Sequence, residues 1–88
     1  MRIAGVRLEP SVARLLSEIL AGEGFHDTAA KIAAAIKARV VVEAPLTLAD
    51  HEAIAEALGR HCPPTLERLL RELLEEQRRI RRITGGDL

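Results

Sequence analysis

The sequence repeats one pattern of hydrophobic and polar residues, because residues 8–20 can be aligned with residues 46–58. Each copy begins with an extended apolar approach, continues with a helix-start signal and ends in an amphipathic helix. The repetition predicts two strand-to-helix units, with one helix between them and a longer helix after them. The identical positions in the two copies are Leu8/Leu46, Glu18/Glu56 and Leu20/Leu58.

The two predicted strands lie at the start of each unit. The first covers residues 2–8 and precedes a helix that begins at Pro10, where proline is tolerated because its missing N–H group would have no partner. The second covers residues 40–46, where a run of valines precedes Pro45. Since the intervening helices carry the chain out and back, we expect the two strands to pair antiparallel.

Four helices are expected from the 3.6-residue period of the apolar positions. The third begins with a capping-box pattern from Thr47 to Asp50. Pro63 and Pro64 force a new start for the last and longest helix, over residues 65–83. The residues expected to face the core in the first three helices are Val12, Leu15, Leu16, Ile19, Leu20, Ala29, Ile32, Ala33, Ile36, Ile54 and Leu58.

These elements predict an α+β fold that is mainly helical, with the order β-α-α-β-α-α. The length of 88 residues suits one domain, which we expect to span residues 1–84. Gly85 and Gly86 then begin a tail, residues 85–88, that is expected to be flexible.

Composition restricts the classes of function. Thirteen basic and thirteen acidic residues cancel, so no global field attracts nucleic acid or an anionic membrane. Cys62 is the single cysteine and cannot form an internal disulfide, which favours a reducing, cytoplasmic compartment. No apolar stretch is long enough to suggest a membrane span. The abundance of Arg, Ala and Leu is typical of a bacterial or phage protein.

The last helix carries the strongest amphipathic pattern. Its first half is expected to pack on the domain's own core, whereas a helix of this length extends beyond what the shorter helices can cover. We therefore expect its apolar face to bind another protein or a second copy of the chain. The residues predicted to carry this contact are Leu69, Leu73, Ile80 and Ile83.

Four arginines near the end of the same helix form a local cationic cluster. They are Arg78, Arg79, Arg81 and Arg82. One interpretation is a solvated face that complements the negative end of the helix dipole. The other is contact with phosphates or with an acidic partner, although the sequence has no Trp or Tyr to stack on bases.

The residues that could carry chemistry do not form a recognisable site. His51, His61 and Cys62 match no compact metal-ligand spacing. The adjacent side chains of His61 and Cys62 are expected to point apart, which does not suit a Cys–His nucleophile. We therefore predict no catalytic residues, no metal and no cofactor.

Two resemblances add to this interpretation. Residues 25–32, 46–48, 53–58, 62–70 and 73–76 are similar to small uncharacterised actinobacterial and actinophage proteins, a resemblance that implies no activity. Residues 1–38 resemble a ribbon-helix-helix module, with a short strand, an LL-x-x-IL helix, a glycine turn and a second helix. That resemblance implies dimerisation through the strand, whose polar side chains would enter the major groove of DNA.

The sequence thus predicts a non-enzymatic protein-interaction or regulatory module that presents its C-terminal helix. The alternative is a DNA- or RNA-binding transcriptional regulator of the ribbon-helix-helix type. The expected partner is another protein or a second copy, with nucleic acid less favoured and no membrane.

Overall fold

The N-terminal segment folds back on itself in the computed structural model, which describes the backbone of residues 1–83 and the side chains of residues 1–80. Strand β1 (Arg2–Ile3) pairs antiparallel with strand β2 (Val6–Arg7). Ala4 and Gly5 form the turn with φ values of 50° and 77°, as a two-residue hairpin loop with both central residues left-handed requires. Ile3 and Val6 are buried beneath the hairpin.

Four helices and a short 3₁₀ turn follow the hairpin. They are α1 (Pro10–Gly22), α2 (His26–Lys37), α3 (Leu48–Arg60), the 3₁₀ turn Pro64–Leu66 and α4 (Glu67–Ile83). The expectation of a mainly helical α+β fold with two antiparallel strands, four helices and the longest helix last is confirmed. The capping box from Thr47 to Asp50 is also confirmed.

The position of the second strand differs from the prediction, because both strands lie within residues 2–7 and the order is β-β-α-α-α-α. A local hairpin needs only a two-residue loop, so it closes at a lower entropic cost than pairing across two helices. Residues 42–44 instead run parallel to β1 in a single bridge between Arg2 and Glu43. Arg2 N–H donates to the Val42 carbonyl (3.2 Å), and Ala44 N–H donates to the Arg2 carbonyl (2.8 Å).

Helices α1 and α2 form a hairpin around Gly24. Gly24 N–H donates to the Ala21 carbonyl and Phe25 N–H to the Leu20 carbonyl, which is a Schellman cap with glycine in the left-handed conformation (φ 89°). Helix α2 buries Ala29, Ile32 and Ala35, whereas Ala33, which was expected to face the core, is exposed.

The core is aliphatic and includes the first half of α4. Its largest fully buried side chains are Ile3, Leu16, Leu20, Ile32, Ile54, Leu58, Leu66, Leu69 and Leu73. The prediction that Leu69 and Leu73 contact a partner is therefore corrected, because the chain's own core covers both side chains. The tail predicted over residues 85–88 lies outside the described residues.

Leu73 and Leu74 provide a matched test of this core, because Leu73 is fully buried and Leu74 is 43% exposed. Replacing Leu73 by Ala should lower the free energy of unfolding by about 2–5 kcal/mol through lost burial and the resulting cavity. Replacing Leu74 by Ala should lower it by less than about 1 kcal/mol. Urea unfolding followed by circular dichroism measures both changes, and similar losses for the two variants would contradict this packing.

The hairpin turn provides a second test, since Ala4 is a non-glycine residue with positive φ. Asn tolerates this conformation better than Ala and is preferred before Gly in such turns. Ala4→Asn should therefore raise the free energy of unfolding by about 0.5–1 kcal/mol. Ala30→Asn on the exposed face of α2 is the control and should lower it by a few tenths of a kcal/mol. Equal signs for the two changes would refute the assigned turn.

Candidate docking surface

The most exposed large hydrophobic side chains lie in the segment between α2 and α3. Val41 is 82% exposed and Val42 is 65% exposed, whereas Ala44 in the same segment is buried. The segment is held against β1 by the backbone hydrogen bonds of Val42 and Ala44, and the Glu43 carboxylate accepts a hydrogen bond from Gly5 N–H (3.2 Å). These bonds fix the segment while leaving both valine side chains in solvent.

An apolar groove of about 180 Å³ lies next to Val41. Its walls come from the N-terminal residues, the start of α1, the end of α2 and the segment that follows α2. The larger apolar residues of its lining are Met1, Leu8, Pro10, Ile36, Val40 and Val41. Exposed apolar surface that continues into a concave groove is typical of interaction sites.

One cationic side chain, Arg39, lines this groove, and two more lie in an adjoining depression. A second depression between α1 and α2 shares Ile36 and Arg39 with the apolar groove and is also lined by Arg14, Ser17, Ala33 and Lys37. Neither depression is lined by an Asp or Glu among the residues described. We call the combined surface, comprising the apolar groove with Val41 and the cations Arg14, Lys37 and Arg39, the basic-rimmed groove.

The end of α2 orients this surface. Arg39 N–H donates to the Ile36 carbonyl (3.1 Å) and Val40 N–H to the Ala35 carbonyl (3.1 Å), which is the same Schellman pattern that ends α1. Here the left-handed position is occupied by Arg39 (φ 55°) and not by glycine. The cap therefore places a cationic side chain at the point where the chain turns toward the exposed valines.

The sequence pattern did not single out these residues. Val41 and Val42 were interpreted as part of a strand. Arg14 is far from Lys37 and Arg39 in the sequence, and the α1–α2 hairpin brings the three together. No sequence signal marked Arg39, because a helix without a following glycine need not end in a left-handed residue, and α3 ends in extended backbone at His61.

Residues of α3 and of the second half of α4 form a second surface. Leu48, Glu52, Gln77 and Ile80 line a depression between α3 and α4. Leu48 is 45% exposed, and Ile80 is half-buried. Of the predicted contact residues, Ile80 lies on this surface, whereas Leu69 and Leu73 are buried. The side chain of Ile83 lies outside the described residues.

The predicted arginine cluster is only partly described. Arg78 Nη1 lies 3.7 Å from Glu75 Oε1 within the same helix, and Arg79 is exposed. The side chains of Arg81 and Arg82 are outside the described residues. The described half of the cluster therefore resembles a solvated helix face, with one arginine paired along the helix.

A buried polar cluster joins α2 to the start of α3. Asp50 Oδ2 accepts hydrogen bonds from Lys31 Nζ (2.7 Å), Thr47 N–H (2.9 Å) and Thr47 Oγ1 (3.0 Å), and Asp50 Oδ1 accepts one from Thr28 Oγ1 (2.7 Å). Burial by itself would raise the pKa of Asp50, but the hydrogen bonds from Lys31, Thr47 and Thr28 outweigh it and hold the pKa well below its ordinary value. Asp50 is thus a fixed, fully hydrogen-bonded carboxylate.

The residues considered for catalysis differ in their surroundings. His51 Nδ1 lies 2.7 Å from Glu76 Oε2, His61 is exposed, and Cys62 is half-buried. Burial and the negative charge of Glu67 raise the pKa of the Cys62 thiol, which lowers its thiolate fraction. Across residues 1–80, no three His, Cys, Asp or Glu side chains are grouped so that they could hold a metal ion.

Compared with known proteins, the chain matches no family model, no curated protein and no solved structure. None of the helices in the described part of the chain is long and apolar enough to cross a membrane.

The Asp50 cluster gives a pH prediction. Because folding lowers the pKa of Asp50 from about 4 in the unfolded chain, its stabilising contribution is complete above about pH 4 and is lost as the pH falls below that value. Asp50→Asn should lower the free energy of unfolding at pH 7 by about 1.5–3 kcal/mol, because a charged acceptor is lost.

The measurement is urea unfolding between pH 7 and pH 2.5. The Asn variant should show a shallower loss of stability below pH 4 than the unmodified chain. The control is Glu52→Gln, which removes an exposed carboxylate from the same helix and should leave the acid limb nearly unchanged. Parallel acid limbs for the unmodified chain and the Asp50 variant would disprove the assigned role.

Proposed function

We propose that this protein is a non-enzymatic interaction module that binds another protein on the basic-rimmed groove. The observation that carries the proposal is the exposure of Val41 and Val42 beside an apolar groove, on a segment held in place by hydrogen bonds to β1. Exposed β-branched side chains gain free energy when a partner removes them from water. A rigid segment also loses little conformational entropy on binding.

In this proposal the first half of the C-terminal helix stabilises the domain, whereas the amphipathic pattern suggested that the helix binds a partner. Leu69 and Leu73 stabilise the domain, so they are not exposed to a partner. Ile80 and Leu48 line the depression between α3 and α4 together with the polar side chains of Glu52 and Gln77.

The nucleic-acid alternative is less well supported. A ribbon-helix-helix dimer requires the strand of one chain to pair with that of another. Here β1 pairs with β2 on one side and with residues 42–44 on the other, so both of its edges are occupied within one chain. Arg2 and Arg7 remain exposed on the hairpin and would offer charge to phosphates without a free strand edge.

The proposal assigns no catalytic reaction to this protein. Asp50 is fully engaged in hydrogen bonds, and the Cys62 thiol has a raised pKa, which suits structural roles for both. A reducing cytoplasmic location is also proposed, in keeping with the single thiol.

Site-specific photo-crosslinking in a bacterial host tests this proposal. A photoreactive residue at Val41 should give an adduct with a second protein, whereas the same residue at Arg68, which is exposed on α4, should give little or none. Adding Val42→Asp should abolish the Val41 adduct, because a charge replaces apolar contact area at an exposed position where folding is unaffected.

Mass spectrometry of the adducts identifies the outcome. Equal labelling from Val41 and Arg68, or an adduct that survives Val42→Asp, would exclude specific docking at the basic-rimmed groove. Circular dichroism of the Val42→Asp variant provides the control for folding.

A further inference from the structure

We infer that the segment bound in the basic-rimmed groove is an acidic, amphipathic stretch of a partner protein. Its apolar anchors would contact Ile36 and Val41, and its carboxylates would lie beside Arg14, Lys37 and Arg39. This inference rests on the docking function proposed above and specifies the chemistry of the partner.

The charge distribution around the groove supports an acidic partner. Several other cations already have carboxylates within 4 Å, since Lys31 pairs with Asp50, Arg60 with Glu23 and Glu56, and Arg78 with Glu75. Among the described residues, Arg14, Lys37 and Arg39 have no such partner. Five other arginines also lack one, but Arg14, Lys37 and Arg39 together line one depression, with no described Asp or Glu in its lining. Carboxylates of a bound segment would complement this charge and favour it over neutral or basic segments.

The two-part form of the groove supports a peptide segment over a free small molecule. The cations line a depression of about 410 Å³, whereas the adjoining apolar part holds only about 180 Å³, below the range of about 300–1,000 Å³ that is usual for small-molecule pockets. The space suits one or two aliphatic side chains, while Val41 and Val42 extend the apolar contact beyond the groove. Such a surface binds a segment that presents anchors at helical or extended spacing.

The conformation of Arg39 provides an independent argument. Two helices of this chain end in the same Schellman pattern, and the first uses Gly24 at the left-handed position (φ 89°), as expected for a residue without Cβ. The second uses Arg39 at φ 55°, where an L side chain is strained. A strained residue with an exposed charge at the rim of a groove is consistent with a role for that side chain in binding.

A protein segment is favoured over nucleic acid by the apolar floor. A duplex would contact the three cations through phosphates but would leave Val41 and Val42 without apolar partners. The chain has no Trp or Tyr, and its one aromatic residue, Phe25, lies at the opposite end of α2 from Arg39. Single-stranded bases would therefore have no aromatic platform at this surface.

Selection from a random 16-residue peptide library tests the inference, with the unmodified chain as bait. We expect the enriched peptides to carry a net negative charge together with apolar residues at i, i+3 or i, i+4 spacing. The most enriched peptide, labelled with fluorescein and called the selected peptide, should bind at least tenfold more weakly when its Asp and Glu residues are replaced by Asn and Gln. Raising the salt concentration should weaken binding as well.

Arg39→Gly separates binding from folding, because glycine relieves the strained φ while removing the charge. The melting temperature of this variant should be unchanged or higher, and its affinity for the selected peptide should fall at least fivefold. The matched control is Arg68→Gln, which removes an exposed charge from α4 and should change the affinity by less than twofold.

Each remaining outcome decides against part of the proposal. Neutral or basic peptides whose binding is lost in Val42→Asp would overturn the acidic chemistry while leaving the docking function intact. Selected peptides that bind the Val42→Asp and Arg39→Gly variants as tightly as the unmodified chain would overturn both the acidic chemistry and the docking function. The same would follow if no peptide were enriched. Tight binding of a 24-base-pair duplex that depends on Arg39, without peptide binding, would establish nucleic acid as the partner.

Discussion

One carboxylate, that of Asp50, connects the two halves of this fold. It completes the capping box of α3 with Thr47 and at the same time accepts hydrogen bonds from Thr28 and Lys31 on α2. The first turn of α3 is therefore fixed relative to α2. Because a Schellman cap fixes the other end of the intervening segment, Val41 and Val42 bridge two anchored points and are held in solvent.

The sequence was sufficient for the helices and insufficient for strand pairing, for a physical reason. Helices are determined by local signals, such as the apolar period of α1 and the capping box of α3, and both are present in the structure. Pairing depends on competition between alternative partners. Residues 40–46 had the composition of a strand, but the hairpin at Ala4 and Gly5 occupies one edge of β1, and residues 42–44 form only a parallel bridge with it.

The candidate surface was harder to predict than the fold, because an apolar stripe in the sequence does not indicate whether a partner or the domain's own core covers it. Leu69 and Leu73 have the same pattern whether they face a partner or the domain's own core, and α3 together with the hairpin covers them. The basic-rimmed groove poses the opposite difficulty. Its cations become neighbours only through the α1–α2 hairpin, and no periodicity links Arg14 with Lys37 and Arg39.

Backbone strain in the described chain is concentrated around the segment that carries the exposed valines. The two non-glycine residues with positive φ are Ala4 and Arg39. Arg39 begins the segment, and Ala4 lies in the turn whose next residue, Gly5, donates to Glu43 within it. A small aliphatic domain has limited stability to spare, so strain on both sides of one exposed segment is better explained by a requirement on its shape than by chance. Presenting Val41 and Arg39 at the same groove, with Val42 exposed next to Val41 in the chain, is such a requirement.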